Sequence, residues 1–153
     1  MVGYSSCAQG AGRTGTQDRG PEPFVVNIEQ AALQNPNFRT VLWTGKHLQV
    51  TLMSIPVGGE IGLELHPHLD QFLRIEGGTG LMKMGRSQTL LDCQCRVCSG
   101  CAILVPAGTW HNLINVGNRP IQLYSIYAPP EHPHGTVHRT KAEADAAEGH
   151  EGH

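Results

Sequence analysis

The sequence has no surplus of positive charge. Its 153 residues carry 11 Lys and Arg against 13 Asp and Glu, for a formal net charge of -2. Nucleic acids and anionic membrane surfaces both select a basic excess, so neither is an expected partner. Charged residues make up only 16% of the chain and are interspersed, with no block of one sign. No apolar run approaches the roughly 20 residues that a membrane-spanning helix needs. Met1 to Gly20 lacks the apolar core of a signal peptide, so the default expectation is a cytoplasmic protein. An even cysteine count is missing too. The five cysteines, Cys7, Cys93, Cys95, Cys98 and Cys101, disfavour a secreted disulfide framework.

What is present is turn chemistry. The chain holds 19 Gly and 10 Pro, with few helical stretches and 39% hydrophobic residues. That composition suits one domain with one core and an all-β fold. Residues 1–22 have almost no apolar pattern and read as a disordered leader, because they bury too little to offset ordering entropy. Residues 23–139 are expected to form the barrel, and residues 140–153 a C-terminal helix and tail. Asn27 caps helix formers as far as Leu33, and Asn35-Pro36 ends them. Thr140-Lys141-Ala142-Glu143 reads as a capping box opening a helix that ends near Glu148.

Between the helices the period changes to two. Leu48, Val50 and Leu52 alternate with polar or flexible neighbours, as on a half-buried strand. Further strands are expected at Ile61 to His66, Gln71 to Glu76, Thr79 to Met84, Thr89 to Cys93, Ile103 to Val105, Trp110 to Asn115 and Ile121 to Tyr127. Short strands at this spacing fit a sandwich or barrel.

The chemistry-bearing residues cluster in the middle of the chain. Glu64, His66 and His68 occupy alternate positions, so on a strand at least Glu64 and His66 share a face. Pro67 interrupts the strand, which leaves the direction of His68 open. Gln71 opens the next strand, and a closed barrel can bring His111 beside the first group. Carboxylate oxygen plus imidazole nitrogen is a ligand set for Fe(II), Mn, Ni or Zn. The rival reading is a pair of satisfied cavity histidines without metal. Cys93, Cys95, Cys98 and Cys101 form a C-x-C-x2-C-x2-C run that reads either as a thiolate metal site or as free thiols. His132, His134 and His138 follow the last strand. They read as a surface strap, with folding back over the barrel mouth as the alternative.

Two spaced motifs resemble those of the cupin superfamily. Gly100, Pro106, Gly108, His111 and Asn115 fit every fixed position of G-x5-P-x-G-x2-H-x3-N. Gly58, Glu64, His66, Gln71 and Gly78 fit the spacing of G-x5-H-x-H-x3,4-E-x6-G, with Glu64 in place of a His and Gln71 in place of a Glu. The resemblance spans Arg39 to Pro130. Asp70-Gln71-Phe72 and Tyr127-Ala128-Pro129-Pro130 are similar to small bacterial single-domain cupins. The resemblance implies a jelly-roll barrel, or double-stranded β-helix, holding one divalent metal through Glu64, His66, Gln71 and His111. His68 is the alternative ligand if the register slips. It also implies a small-molecule ligand in the mouth, with pairing into a homodimer by analogy. Phe72, Trp110 and Tyr124 are candidates to line a substrate pocket, against the plainer reading of barrel packing. Asp70 is expected to cap a turn. Isomerisation, decarboxylation and oxygen-dependent cleavage all occur in cupins. A non-catalytic binding module and a metal-free isomerase using His66 or His111 as base, with Asp70 or Glu64, stay open beside the metalloenzyme.

Overall fold

A computed structural model describes residues 17–150. Two short helices flank antiparallel strands. The order is α1 (Ile28–Gln34), β1 (Arg39–Thr44), β2 (Gln49–Ile55), β3 (Asp70–Gly77), β4 (Thr79–Gly85), β5 (Cys93–Cys98), β6 (Ala102–Val105), β7 (Trp110–Asn115), β8 (Ile121–Ala128), β9 (Val137–His138) and α2 (Lys141–His150). Six strands form one sheet in the order β6-β3-β8-β2-β1-β9, and three form the other in the order β5-β4-β7. This is the all-β jelly-roll arrangement that the motifs imply.

The core lies between the sheets. Leu73 and Ile75 of β3, Leu123 of β8, Ile55 of β2, Met82 of β4 and Leu113 of β7 are at most 1% exposed and belong to one cluster. Alternation puts these side chains inward and their neighbours outward. A second, smaller cluster sits on the outer face of the large sheet. There Ala32 of α1 packs over Leu42 and Leu52 with Phe24, Val26 and Tyr124 around them. The α1 cap is as expected: the Asn27 side chain accepts from Gln30 N.

Three sequence expectations are corrected. Ile61 to His66 is not a continuous strand. Gly62 sits at φ +105 and breaks the extended run, leaving Ile61 and Glu64 to hydrogen-bond separately to β7. The strand expected at Thr89 to Cys93 starts instead at Cys93 and runs to Cys98, after an isolated bridge between Ser87 and Leu90. The expected leader lies outside the described residues as far as residue 16, but residues 17–22 are pinned to the sheet. Asp18 accepts from Thr44 N at 2.9 Å and Gly135 N at 3.0 Å, and Arg19 N donates to Leu42 O at 3.0 Å. Those contacts are polar and distant in sequence, so composition does not register them.

Gly78 closes the first motif and has a double reason to be glycine. Its φ is +90, and an added Cβ would sit 2.7 Å from Pro120 O and 2.8 Å from Ile121 Cα, both backbone atoms. Gly78→Ala is expected to cost about 3 kcal/mol, combining left-handed strain with displaced backbone. Urea unfolding checks this; a loss below about 1 kcal/mol would contradict the close approach.

Candidate metal centre

Glu64 and His111 face each other across a narrow backbone pair. Glu64 N donates to His111 O and His111 N donates to Glu64 O, both at 3.0 Å. Such a pair aims both side chains to one face. The Pro106-Ala107-Gly108 turn fixes the start of β7. Gly108 N donates to His66 O at 2.9 Å, and Ala107 N donates to Asp70 Oδ1 at 2.9 Å. Asp70 is thus a turn cap and not an acid in the site. Asn115 braces the far end of β7, donating to Ile55 O at 3.0 Å and Arg119 O at 2.9 Å.

The side chains then converge. Glu64 Oε1 lies 3.2 Å from His111 Nε2 and 3.3 Å from His66 Nε2. One donor atom from each residue falls within 4.8 Å of the others. Donors about 2 Å from a common ion stand roughly 3 Å apart when adjacent, so the spacing suits one small cation. His111 adds a sharper test. Its Nδ1 lies 2.9 Å from Thr109 O, an acceptor only, so Nδ1 carries a proton. A neutral His111 then turns an Nε2 lone pair toward the Glu64 carboxylate, which is repulsive unless a proton or a metal cation lies between. His66 Nε2 is buried and close to Glu64 but out of line for a hydrogen bond, so it has no hydrogen-bond partner. The three donors fit a metal ion.

Charges in the mouth are strongly coupled. Burial alone pushes the Glu64 carboxyl up, yet His111 and His66 outweigh it and hold it well below the usual range. Burial pulls His66 down, but the Glu64 contact and charge, with Glu131 and Glu148 behind it, leave it above the ordinary histidine value.

Gln71 points inward on β3, opposite Tyr127 of β8, whose ring stands edge-on to His66 at 5.7 Å. Its Nε2 donates to Ser125 Oγ at 2.9 Å, while its buried Oε1 has no partner. His68 is exposed and outside the three-residue group. The aromatic candidates do not match a pocket lining. Phe72 alternates with inward Gln71, and Trp110 with inward His111, so both face away. Tyr124 lies on the outer face beside Phe72, ring centroids 6.2 Å apart. Among the described residues the cysteines join no group of three metal donors. Cys98 and Cys101 meet across a turn, where Cys98 N lies 3.4 Å from Cys101 Sγ.

The strap after β8 does fold over the mouth. Glu131 Oε1 is 3.7 Å from His66 Nδ1, and the His132 ring stands edge-on to Tyr127 at 5.2 Å. His132 is pushed down to about 3, chiefly by burial and then by Arg39. Gln49 clamps the strap, accepting from His132 N at 2.9 Å and donating to His132 O at 2.8 Å. His134 lies elsewhere, against Gly20 O. A cavity of about 280 Å3 adjoins Glu64 and is bounded by Phe38, Arg39, Lys141, Ala144 and Glu148. Sequence reasoning missed Arg39, Tyr127, Glu131 and Glu148. Only Tyr127 carried a signal, as part of the Tyr-Ala-Pro-Pro ending. A hollow of about 290 Å3 among Met84, Leu90, Cys93 and Leu104 contains none of the three donors.

The family model for the Cupin domain matches residues 51–127. YrkC of Bacillus subtilis (strain 168) is 65% identical over 132 residues, covering 86% of this chain and 71% of its own. L612 of Acanthamoeba polyphaga mimivirus is 40% identical over 115 residues, covering 74% of this chain and 70% of its own. The crystal structure of BH2720 from Bacillus halodurans superposes with a TM-score of 0.84 at 66% identity, covering 85% of this chain and 98% of that one. No helix among the described residues is long and apolar enough to cross a membrane.

Proposed function

Because the chain belongs to the cupin family, we propose that its mouth binds one divalent transition metal and acts on a small oxygenated metabolite, a sugar, sugar acid or keto acid. Glu64, His66 and His111 hold the ion, which is Fe, Mn, Ni or Zn. Two imidazoles and one carboxylate leave positions open for ligand oxygen. When bound, such an ion acts as a Lewis acid on a substrate oxygen. The observation that carries the reading is the convergence of one carboxylate oxygen and two imidazole nitrogens within 4.8 Å of one another. Glu64 Oε1 stands 3.2 Å from His111 Nε2 and 3.3 Å from His66 Nε2, a spacing that suits one cation shared by all three.

The chain's own residues do the rest. Thr109 O fixes the His111 tautomer. Gln71, its amide nitrogen committed to Ser125, offers a neutral oxygen that completes or tunes the ligand set. Tyr127 and the strap keep water from the inner side of His66.

The test is elemental analysis of protein purified without a metal-affinity column, on wild type and His111→Ala. The expected result is about one equivalent of metal in wild type and none in the variant. Metal absent from both, even after anaerobic reconstitution, overturns the reading and leaves a binding module or a metal-free isomerase. Ligand-induced stabilisation without product would identify the binding module.

A further inference from the structure

The strongest unexplained group beside the centre is a buried cation. Arg39 opens β1, is only 2% exposed, and borders the cavity that contains Glu64. Its Nη1 lies 3.3 Å from His138 Nδ1, and its guanidinium carbon sits 5.4 Å from the Phe38 ring centroid. Its Nε is buried without a hydrogen-bond partner. Among the described residues no carboxylate lies within ion-pair distance of it. Burying a guanidinium without a hydrogen-bonded carboxylate is costly; neither a histidine nor a ring face cancels its charge, and Glu148 across the cavity meets it only at longer range. The cavity beside the donor triad is therefore bordered by a buried guanidinium that has no carboxylate partner among the described residues.

We propose that Arg39 binds the carboxylate of a small organic acid, so that the cavity admits a carboxylic acid whose other oxygens face the Glu64–His66–His111 centre. This deepens the reading above and rests on it for the second half of that statement only. The guanidinium fork matches a carboxylate in two parallel hydrogen bonds. Charge selects a monoanion over a phosphate. Lys141, the other cation on the cavity, is already paired with Asp145 at 2.8 Å, so Arg39 is the cavity cation that has no carboxylate within ion-pair distance among the described residues. Glu60, Glu64 and Glu148 also border the space and would oppose a second negative charge. A cavity of about 280 Å3 suits an acid of a few carbons rather than a polymer end.

The alternative is that Arg39 merely ties β1 to β9 through His138. Calorimetric titration separates the two. Formate, acetate, pyruvate and malonate are titrated into full-length wild type, metal-free and metal-loaded, beside pyruvamide as the neutral partner of pyruvate and inorganic phosphate as the rival anion. Pyruvate is expected to bind at least about tenfold more tightly than pyruvamide or phosphate. Arg39→Met should weaken it by about the same factor while still taking up metal. Arg39→Lys should recover only part, since the charge returns without the fork. Equal affinity for acid and amide, preference for phosphate, or no saturable binding of any of the four acids each overturns the inference. The acid–amide comparison needs only wild type, so it decides even if Arg39→Met does not fold. Acid binding by a protein that takes up no metal would sink the metal reading and keep this one. Metal uptake without acid binding does the reverse.

Discussion

Glu64→Gln is expected to abolish the metal uptake proposed for the centre. The substitution keeps size and shape but replaces the one charged donor of the group with a weak amide oxygen. Structural metal sites bind with about 10 to 16 kcal/mol spread over three or four donors, so losing the carboxylate should lower affinity at least a hundredfold, and roughly a thousandfold if the amide turns away. Competition against a chromogenic chelator measures it. Unchanged affinity would remove Glu64 from the ligand set. The same substitution has a signature in the metal-free protein. Glu64 raises His66 above its ordinary value, so the pair stabilises the fold below the unfolded histidine value and loses that contribution as pH rises through the folded one. Metal must displace the same proton, so wild-type affinity should fall on acidification. In Glu64→Gln that fall should begin at lower pH, because His66 no longer has the carboxylate to hold its proton.

His132→Phe will flatten the acid limb of the stability curve. Burial pushes His132 from 6.5 down to about 3, so it stays neutral in the fold while the unfolded chain takes up a proton. Its depressed value means that stability is complete above pH 6.5 and declines as pH falls toward 3. The loss attributable to this one ring is about 2 kcal/mol at pH 5 and between about 4 and 5 kcal/mol at pH 3, at 1.36 kcal/mol per unit. Phe keeps the edge-on contact with Tyr127 and removes a buried nitrogen, Nε2, that has no partner. Unfolding free energies of both proteins at pH 8 and pH 5 decide it. The variant should gain about 2 kcal/mol on wild type between those two conditions. Parallel curves would mean that His132 is hydrated or protonated in the folded state. The opposite contribution of His66 is common to both proteins and cancels in the difference.

The contrast between the readable and unreadable parts of the centre is physical. Pro106, Gly108 and His111 are bound by local turn geometry, and Glu64 and His66 by alternation over three residues, so their spacing alone places them. Gly62 breaks the strand that alternation implied, but the bridge from Glu64 to His111 restores the direction. Phe72 and Tyr124, read as barrel packing with pocket lining as the alternative, show what a period-two pattern leaves open. Alternation separates two faces without naming the inner one, and β3 puts polar Gln71 inside and aromatic Phe72 outside. Arg39, Glu131, His132 and Glu148 reach the mouth from the first strand, the strap and the last helix. Those contacts join residues tens of positions apart, which no local pattern encodes.

The position of β8 has a consequence for how the chain comes to be folded. It is the last long strand in sequence, yet it lies in the middle of the large sheet, between β3 and β2. No strand pairs with both of them until residues 121–128 arrive. A nascent chain that has exposed β1 to β7 holds Glu64, His66 and His111 but only fragments of the six-stranded sheet. Folding is therefore a late, long-range closure of the kind that proceeds slowly, with open strand edges in the meantime. Chains terminated before Ile121 should accumulate as insoluble material instead of as weakened barrels.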